Sequence, residues 1–299
     1  MSRAPAPAKI NLALVVGPLR DDGKHEVLTV FQRIDLVDRI ELEEAPELTV
    51  DGFAGDTLVA AALRELARAA GIKARWRVAI EKKIPVAAGL GGGSSDAATA
   101  LRLANETLSE PLPAEDLHRL AAQIGADVPF FLAGTNAFAA GIGERLVAAD
   151  VAAAWYAVVK PETSLATADV FASPTVAERV AAARIAGFSG PRPGVDAEPG
   201  GHGEAGSRLV EDFGANDLQA AAEGLCPDVR RAAAALERIY GNSRMTGSGS
   251  AVFARAGSGP APSAAMPGDW PSGWSGRMCR SLERHPLAGW AGRGETGEG

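Results

Sequence analysis

Seven residues, Gly89-Leu-Gly-Gly-Gly-Ser-Ser95, restrict this chain more than any other stretch. Four glycines in five positions cost conformational entropy that an ordinary turn need not spend. The run leads directly into an alanine-rich segment with helical character, 94–108. A helix start carries unpaired N–H groups, and glycines let a backbone approach a ligand closely. Together they make a cradle for an anion, phosphate above all. Ser94 and Ser95 add hydroxyls that can cap the helix or face phosphate and a metal. The plainer reading is an N-capped helix after a flexible turn.

Around this loop the first half reads as mixed strand and helix. Residues 10–16 form an apolar strand, and 27–43 alternate, as in Ile34-Asp35-Leu36-Val37-Asp38-Arg39-Ile40-Glu41-Leu42. That period suits a half-buried strand. Residues 57–70 read as a helix stopped by Gly71, 75–82 as a strand, and 114–124 as a helix after Pro113. Residues 127–132 form a short apolar segment after a turn. Further on, 154–160 are strand-like, 175–185, 216–224 and 228–240 helical, and 243–254 a turn, a glycine loop and a strand. Two stretches, 187–207 and 257–276, are dense in Gly and Pro and read as loops, and 289–299 as a frayed tail.

Of the chain's 35 glycines, 17 fall in residues 187–207, 257–276 and 286–299, so the excess belongs to loops and a tail. The net charge of −7 argues against nucleic acid as a partner, because a polyanion needs a basic face. Residues 10–16 are too short and too interrupted, by Asn11, for a membrane span or signal peptide. Cys226 and Cys279 are too few for a disulfide framework and fit a reducing compartment, so a cytoplasmic location is expected.

Other phosphate and catalytic motifs fail. The only Gly-Lys pair, Gly23-Lys24, is followed by His25, so no Walker A loop exists. Ser94 stands where a dinucleotide fingerprint needs glycine. No G-x-S-x-G elbow occurs, and four histidines make a His-based metal centre improbable.

The stretch Pro85-x-x-x-Gly-Leu-Gly-Gly-Gly-Ser-Ser-Asp-Ala-Ala resembles the phosphate loop of the galactokinase, homoserine, mevalonate and phosphomevalonate (GHMP) kinases. Pro7-Ala-Lys-Ile-Asn-Leu12, Asp22-Gly-Lys-His-Glu26, Gly125-Ala-Asp-Val-Pro-Phe130, Asn216-Asp-Leu218 and Arg244-Met-Thr-Gly-Ser-Gly249 occur in order around it. The set, spanning about residues 5–285, is similar to the diphosphocytidyl-methylerythritol kinases of that superfamily. The resemblance implies an α+β fold of two domains. Residues 1–152 would form a ribosomal-protein-S5-like ATP domain, and 153–285 a ferredoxin-like domain completing the cleft, with 187–212 a flexible loop and 286–299 a tail. It implies transfer of the ATP γ-phosphate to a methylerythritol 2-hydroxyl in the non-mevalonate isoprenoid route, usually with Mg²⁺. The partners would be small molecules only, with no membrane, on a monomer or homodimer.

Carried over residue by residue, the resemblance makes Asp127 the general base and Lys9 its partner, offsetting charge on the transferring phosphoryl. Pro85, Gly89, Leu90, Gly91, Gly92, Gly93, Ser94 and Ser95 would hold the ATP phosphates, with Ser95 a candidate metal ligand. Asn11 would reach the substrate, or stay buried and bonded to backbone. His25 would read cytosine and Phe171 would stack on it. Lys24 departs from the family's usual Tyr and can reach a diphosphate as a point charge. Asp56-Thr57-Leu58 replaces an Asp-Asn-Leu near the adenine pocket. The Gly/Pro-rich 257–276 stands where the family places an amphipathic helix, so apolar sheet surface needs another cover. Two alternatives remain open: a related kinase with another alcohol acceptor, and a non-catalytic nucleotide-binding protein.

Overall fold

The computed structural model describes residues 1–55, 57–185 and 214–286. Asp56, the expected 187–212 loop and the tail beyond Pro286 lie outside the described residues.

Two long strands organise the first half. β1 (Ser2–Leu19) lies antiparallel to β2 (His25–Glu44), with Ile40 opposite Ala4 and Phe31 opposite Asn11. Alternation places Ile34, Leu36, Ile40 and Leu42 inside while Asp35 and Arg39 face solvent. Register shifts fall between Pro7 and Ala8 and between Asn11 and Ala13. Such irregularities re-aim side chains, and these two bracket Lys9 and Asn11. β2 also pairs with β4 (Trp76–Glu81) and β5 (Ala137–Ala140). β3 (Thr49–Asp51) runs parallel to β4, and β6 (Arg145–Ala148) pairs with β5.

Four helices belong to this half: α1 (Leu58–Ala69), α2 (Gly92–Asn105), α3 (Ala114–Ile124) and α4 (Val128–Leu132). The centre of α2 is small and apolar, so Ala97, Ala98, Ala100, Leu101, Leu103 and Ala104 are buried in one core with Leu63, Trp76 and Phe130. This helix begins at Gly92 rather than at the expected Ser94. The reason is Gly91, which as N-cap takes φ +70° and turns the chain into the helix two residues early.

In the second half β7 (Trp155–Lys160) lies between β9 (Val252–Arg255) and β10 (Ser275–Leu282), and β8 (Arg244–Met245) extends the sheet. α5 (Thr167–Phe171), α6 (Pro174–Ile185), α7 (Gln219–Leu225) and α8 (Pro227–Tyr240) accompany it. Leu14 and Val16 of β1 share this core with Val159, Val229, Leu236 and Val252. Residues 257–274 contain no helix. Met266, Trp270 and Trp274 from this stretch pack against that core instead. The tip of β10 continues onto β2 through Ser281 and Leu282, opposite Ile34 and Arg33. The two halves therefore share one ten-stranded sheet in an α+β fold.

Candidate active site

The glycine loop is shaped by close approaches. Gly89 and Gly91 have φ of +74° and +70°, conformations that side chains rarely adopt. A Cβ on Gly91 would lie 2.8 Å from the Phe131 ring, and one on Gly92 2.9 Å from Ile84. The free N–H groups at the start of α2 open onto this loop. Ser95 is fully buried and its Oγ has no hydrogen-bond partner.

Beside the loop lies a buried ammonium. Lys9 is 3% exposed, and its backbone N–H donates to Leu90 O at 3.0 Å. Its Nζ donates to Asn11 Oδ1 at 2.6 Å, lies 3.4 Å from Asp127 Oδ2 and sits 5.1 Å from the Phe31 ring centroid. Asp127 is the N-cap of α4, yet its carboxylate makes no capping bond. Its side chain is 28% exposed, so the carboxylate is reachable while its ammonium partner is shielded.

Asn11 is buried, and its side chain is engaged within the protein. Oδ1 accepts from Lys9 and, at 3.2 Å, from Thr246 Oγ1, while Nδ2 donates to Thr29 Oγ1 at 2.8 Å. Its backbone N–H donates to Thr246 Oγ1 at 3.0 Å. Asn11 is thus buried, but its side chain bonds to the Lys9, Thr29 and Thr246 side chains and not to backbone as the second expectation had it.

Thr246 belongs to the second half, whose own glycine loop meets the first at this point. Ala251 N–H donates to Ala88 O at 3.1 Å, and Asn216 Nδ2 donates to Met245 O and Gly247 O, both at 2.8 Å. The Asn216 and Arg244–Gly249 motifs thus build one wall of the site.

Behind the loop, Lys82 Nζ bridges Asp38 Oδ2 at 2.5 Å and Asp96 Oδ2 at 2.7 Å. Asp38 Oδ1 also accepts from Ile84 N–H at 2.7 Å. The triad ties β2 to the entry of the loop and to the first turn of α2. Burial, and then the neighbouring Asp38, push the Asp96 carboxyl up to about 7 against the pull of Lys82. Burial opposes the Lys82 charge, but Asp96 and Asp38 outweigh it and raise its pKa. Sequence reasoning assigned no role to Lys82, Asp38, Thr29 or Thr246. The Lys82-Lys83-Ile-Pro85 entry to the loop was the signal available for the first.

At the turn after β1, the His25 and Phe171 rings stack, with centroids 5.8 Å apart at 25°. His25 Nδ1 lies 2.9 Å from Gly17 O. A carbonyl only accepts, so Nδ1 carries the hydrogen and Nε2 of the neutral ring presents a lone pair. Lys24 is exposed in the same turn, its backbone N–H on Asp22 Oδ1 at 3.1 Å.

A cavity of about 700 Å³ lies elsewhere, at the Glu44 end of β2 beside Arg75 and Trp76. It shares no residue with the Lys9–Asp127 cluster, where charges and amides converge, and convergent polar groups are the better guide to chemistry. Among the described residues no group of three His, Cys, Asp or Glu side chains is placed to hold a metal. No helix there is long and apolar enough to cross a membrane.

Residues 57–135 match the GHMP kinases N terminal domain. The 4-diphosphocytidyl-2-C-methyl-D-erythritol kinase of Methylibium petroleiphilum is 43% identical over 96% of this chain and 97% of its own length. A crystal structure of 4-(cytidine 5'-diphospho)-2C-methyl-D-erythritol kinase, 34% identical, superposes with a TM-score of 0.66 over 85% of this chain and 90% of that one. Homoserine kinase from Cytophaga hutchinsonii shares the fold, with a TM-score of 0.61 at 16% identity over 95% of each chain. At 43% identity over nearly the whole of both chains, the chain belongs to the 4-diphosphocytidyl-2-C-methyl-D-erythritol kinase family of the GHMP kinases.

Proposed function

We propose that the protein transfers the γ-phosphoryl group of ATP to the 2-hydroxyl of 4-diphosphocytidyl-2-C-methyl-D-erythritol, the non-mevalonate isoprenoid step. The observation that carries this reading is Asp127 Oδ2, 3.4 Å from the buried Lys9 Nζ at the edge of the glycine loop. Phosphoryl transfer needs positioning and charge neutralisation more than covalent help. Residues 85–95 would hold the phosphates by backbone amides, in a half formed by 1–152. Residues 153–285 would close the cleft through Thr246 and the 247–249 glycines. Asp127 would take the hydroxyl proton as the oxygen attacks, and Lys9 would face the charge on the transferring group. Asn11 would fix Lys9 rather than touch substrate. When bound, Mg²⁺ would supply further neutralisation of the phosphate charge, and the orphaned Ser95 Oγ is the candidate to hold it.

The His25 Nε2 lone pair suits the 4-amino group of cytosine. Two van der Waals spacings, about 7 Å, are needed to insert a base between rings. His25 and Phe171 are closer than that, so cytosine would lie against the Phe171 face and the His25 edge. Lys24, exposed beside them, would serve the diphosphate. The assembly would be a monomer or a homodimer. Two buried free cysteines support a cytoplasmic location.

A coupled ADP-release assay with the cytidyl substrate tests the reading. Turnover is expected, with Asp127→Asn lowering kcat by roughly 10²–10⁴-fold. Turnover of another alcohol but not the cytidyl one would shift the assignment to a related kinase, as Lys24 allows. ATP binding without transfer to any acceptor would leave a nucleotide-binding protein.

A further inference from the structure

Arg33 is fully buried in the middle of β2, and no carboxylate pairs with it among the described residues. Its guanidinium lies 3.9 Å over the Phe130 ring. Nη2 donates to Phe130 O and, at 2.7 Å, to Ala133 O, while Nη1 donates to Thr135 O. Arg102 of α2 adds a bond from Nη2 to Leu132 O. Two guanidiniums therefore hold four carbonyls at the end of α4 and just beyond it. A helix leaves its last four carbonyls without internal partners, and α4 has only five residues. Ala133 N–H caps Pro129 O at 3.0 Å and Phe130 O at 3.1 Å, the guanidiniums add donors to Phe130 O and Leu132 O, and a buried cation there also complements the local dipole.

The other end of α4 is Asp127. Its flank is fixed by rings: Phe130 lies 4.8 Å from Phe31 and 5.1 Å from Phe131, and Phe131 abuts Gly91. Phe31 in turn lies beneath the Lys9 ammonium. The short helix is thus a rigid piece clamped at its carbonyl end, with the reactive carboxylate at its tip. A solvated strand arginine would have no such connection.

We propose that Arg33 is a positioning residue for the phosphoryl transfer, holding α4 so that the Asp127 carboxylate meets the acceptor hydroxyl. Arg33 touches neither substrate nor the reacting atoms and acts only through Asp127. The inference rests on Asp127 being the base, and the test separates the two statements.

The test is a double-mutant cycle on the full chain, with kcat and both KM values measured per folded molecule. Arg33→Met is expected to lower kcat about 10–100-fold, the scale of a misplaced catalytic group, with both KM values changed less than about threefold. In an Asp127→Asn background the same change is expected to cost less than about threefold, because the carboxylate it positions is gone. A role confined to stability would lower the folded fraction and leave kcat per folded molecule intact. Should Arg33→Met not fold, Arg33→Lys enters the same cycle, keeping the charge but losing the planar fork over Phe130. Equal losses in both backgrounds would overturn the positioning role while leaving Asp127 as base. A near-normal kcat in Asp127→Asn alone would overturn the base assignment instead.

Discussion

Gly89 sits where the two halves of the molecule touch. A Cβ there would lie 2.1 Å from Thr246 O, and its φ is +74°. Thr246 Oγ1 lies 3.2 Å from Gly89 O, so the approach is a packed polar seam and not an empty gap. The glycine therefore answers two demands at once, a left-handed backbone and room for another backbone. Gly93 answers neither, having no positive φ and only Leu58 Cδ1 at 3.3 Å from a Cβ. It lies in the first turn of α2, where alanine is the better helix former by about 1 kcal/mol. Gly89→Ala is expected to destabilise the fold by more than about 1 kcal/mol and to raise the KM for ATP. Gly93→Ala is expected to be close to neutral in thermal melting. If the two variants melt alike, the seam does not constrain Gly89.

At the scale of elements, what could be read in advance depended on how much of each element's reason lay in its own residues. β2 announced itself by alternation from Ile34 to Leu42, and α1 by its apolar face and Gly71. β5 did not, because Ala137–Ala140 has little strand preference of its own and exists by pairing with β2. β10 is polar and charged along most of its length and is set by β7 and β2 on either side. In the site, the glycine loop, Lys9 and Asp127 were legible because their chemistry is local. Arg33 was not, since a charged residue within an alternating strand reads as solvent-facing until α4 is placed over it. The Gly/Pro-rich 257–276 stretch was legible as a loop up to Trp274, where β10 takes over, but not as a cover. Trp270 and Trp274 stack there at 6.2 Å and 20°, and a Cβ on Gly276 of β10 would lie 2.2 Å from Trp270 Nε1. Gly276→Ala is thus expected to unseat Trp270. Trp270→Ala, half-buried, should cost about 2 kcal/mol, below the 3–5 of a fully buried tryptophan. In the double variant the Gly276→Ala penalty should largely vanish, measured by denaturant unfolding. Simple addition of the two penalties would mean that the loop does not lean on the strand.

For the molecule as a whole, the chain closes on itself near its C-terminal end. After β10 bridges the halves, Leu282 O accepts from Gln32 Nε2 at 3.0 Å and from Asn136 Nδ2 at 2.9 Å, and His285 N–H donates to Gly134 O at 2.8 Å. His285 is buried, and burial, then Arg102 and Arg33, lower its pKa from 6.5 to about 3. His118 on α3 is lowered as well, by burial and then Arg102. The folded protein keeps His285 neutral at a pH where the unfolded chain protonates it. Stability from this group is complete above about pH 6.5 and declines as pH falls towards about 3, because the unfolded state binds the extra proton. At pH 5 the deficit is about 1.5 pH units, or about 2 kcal/mol. Replacing His285 with glutamine keeps a polar side chain but removes the titration. Between pH 7.5 and pH 5, unfolding free energy from urea titration should fall about 2 kcal/mol further in the parent than in His285→Gln. Parallel losses in the two proteins would place the acid sensitivity in other groups and free the C-terminal closure from any part in it.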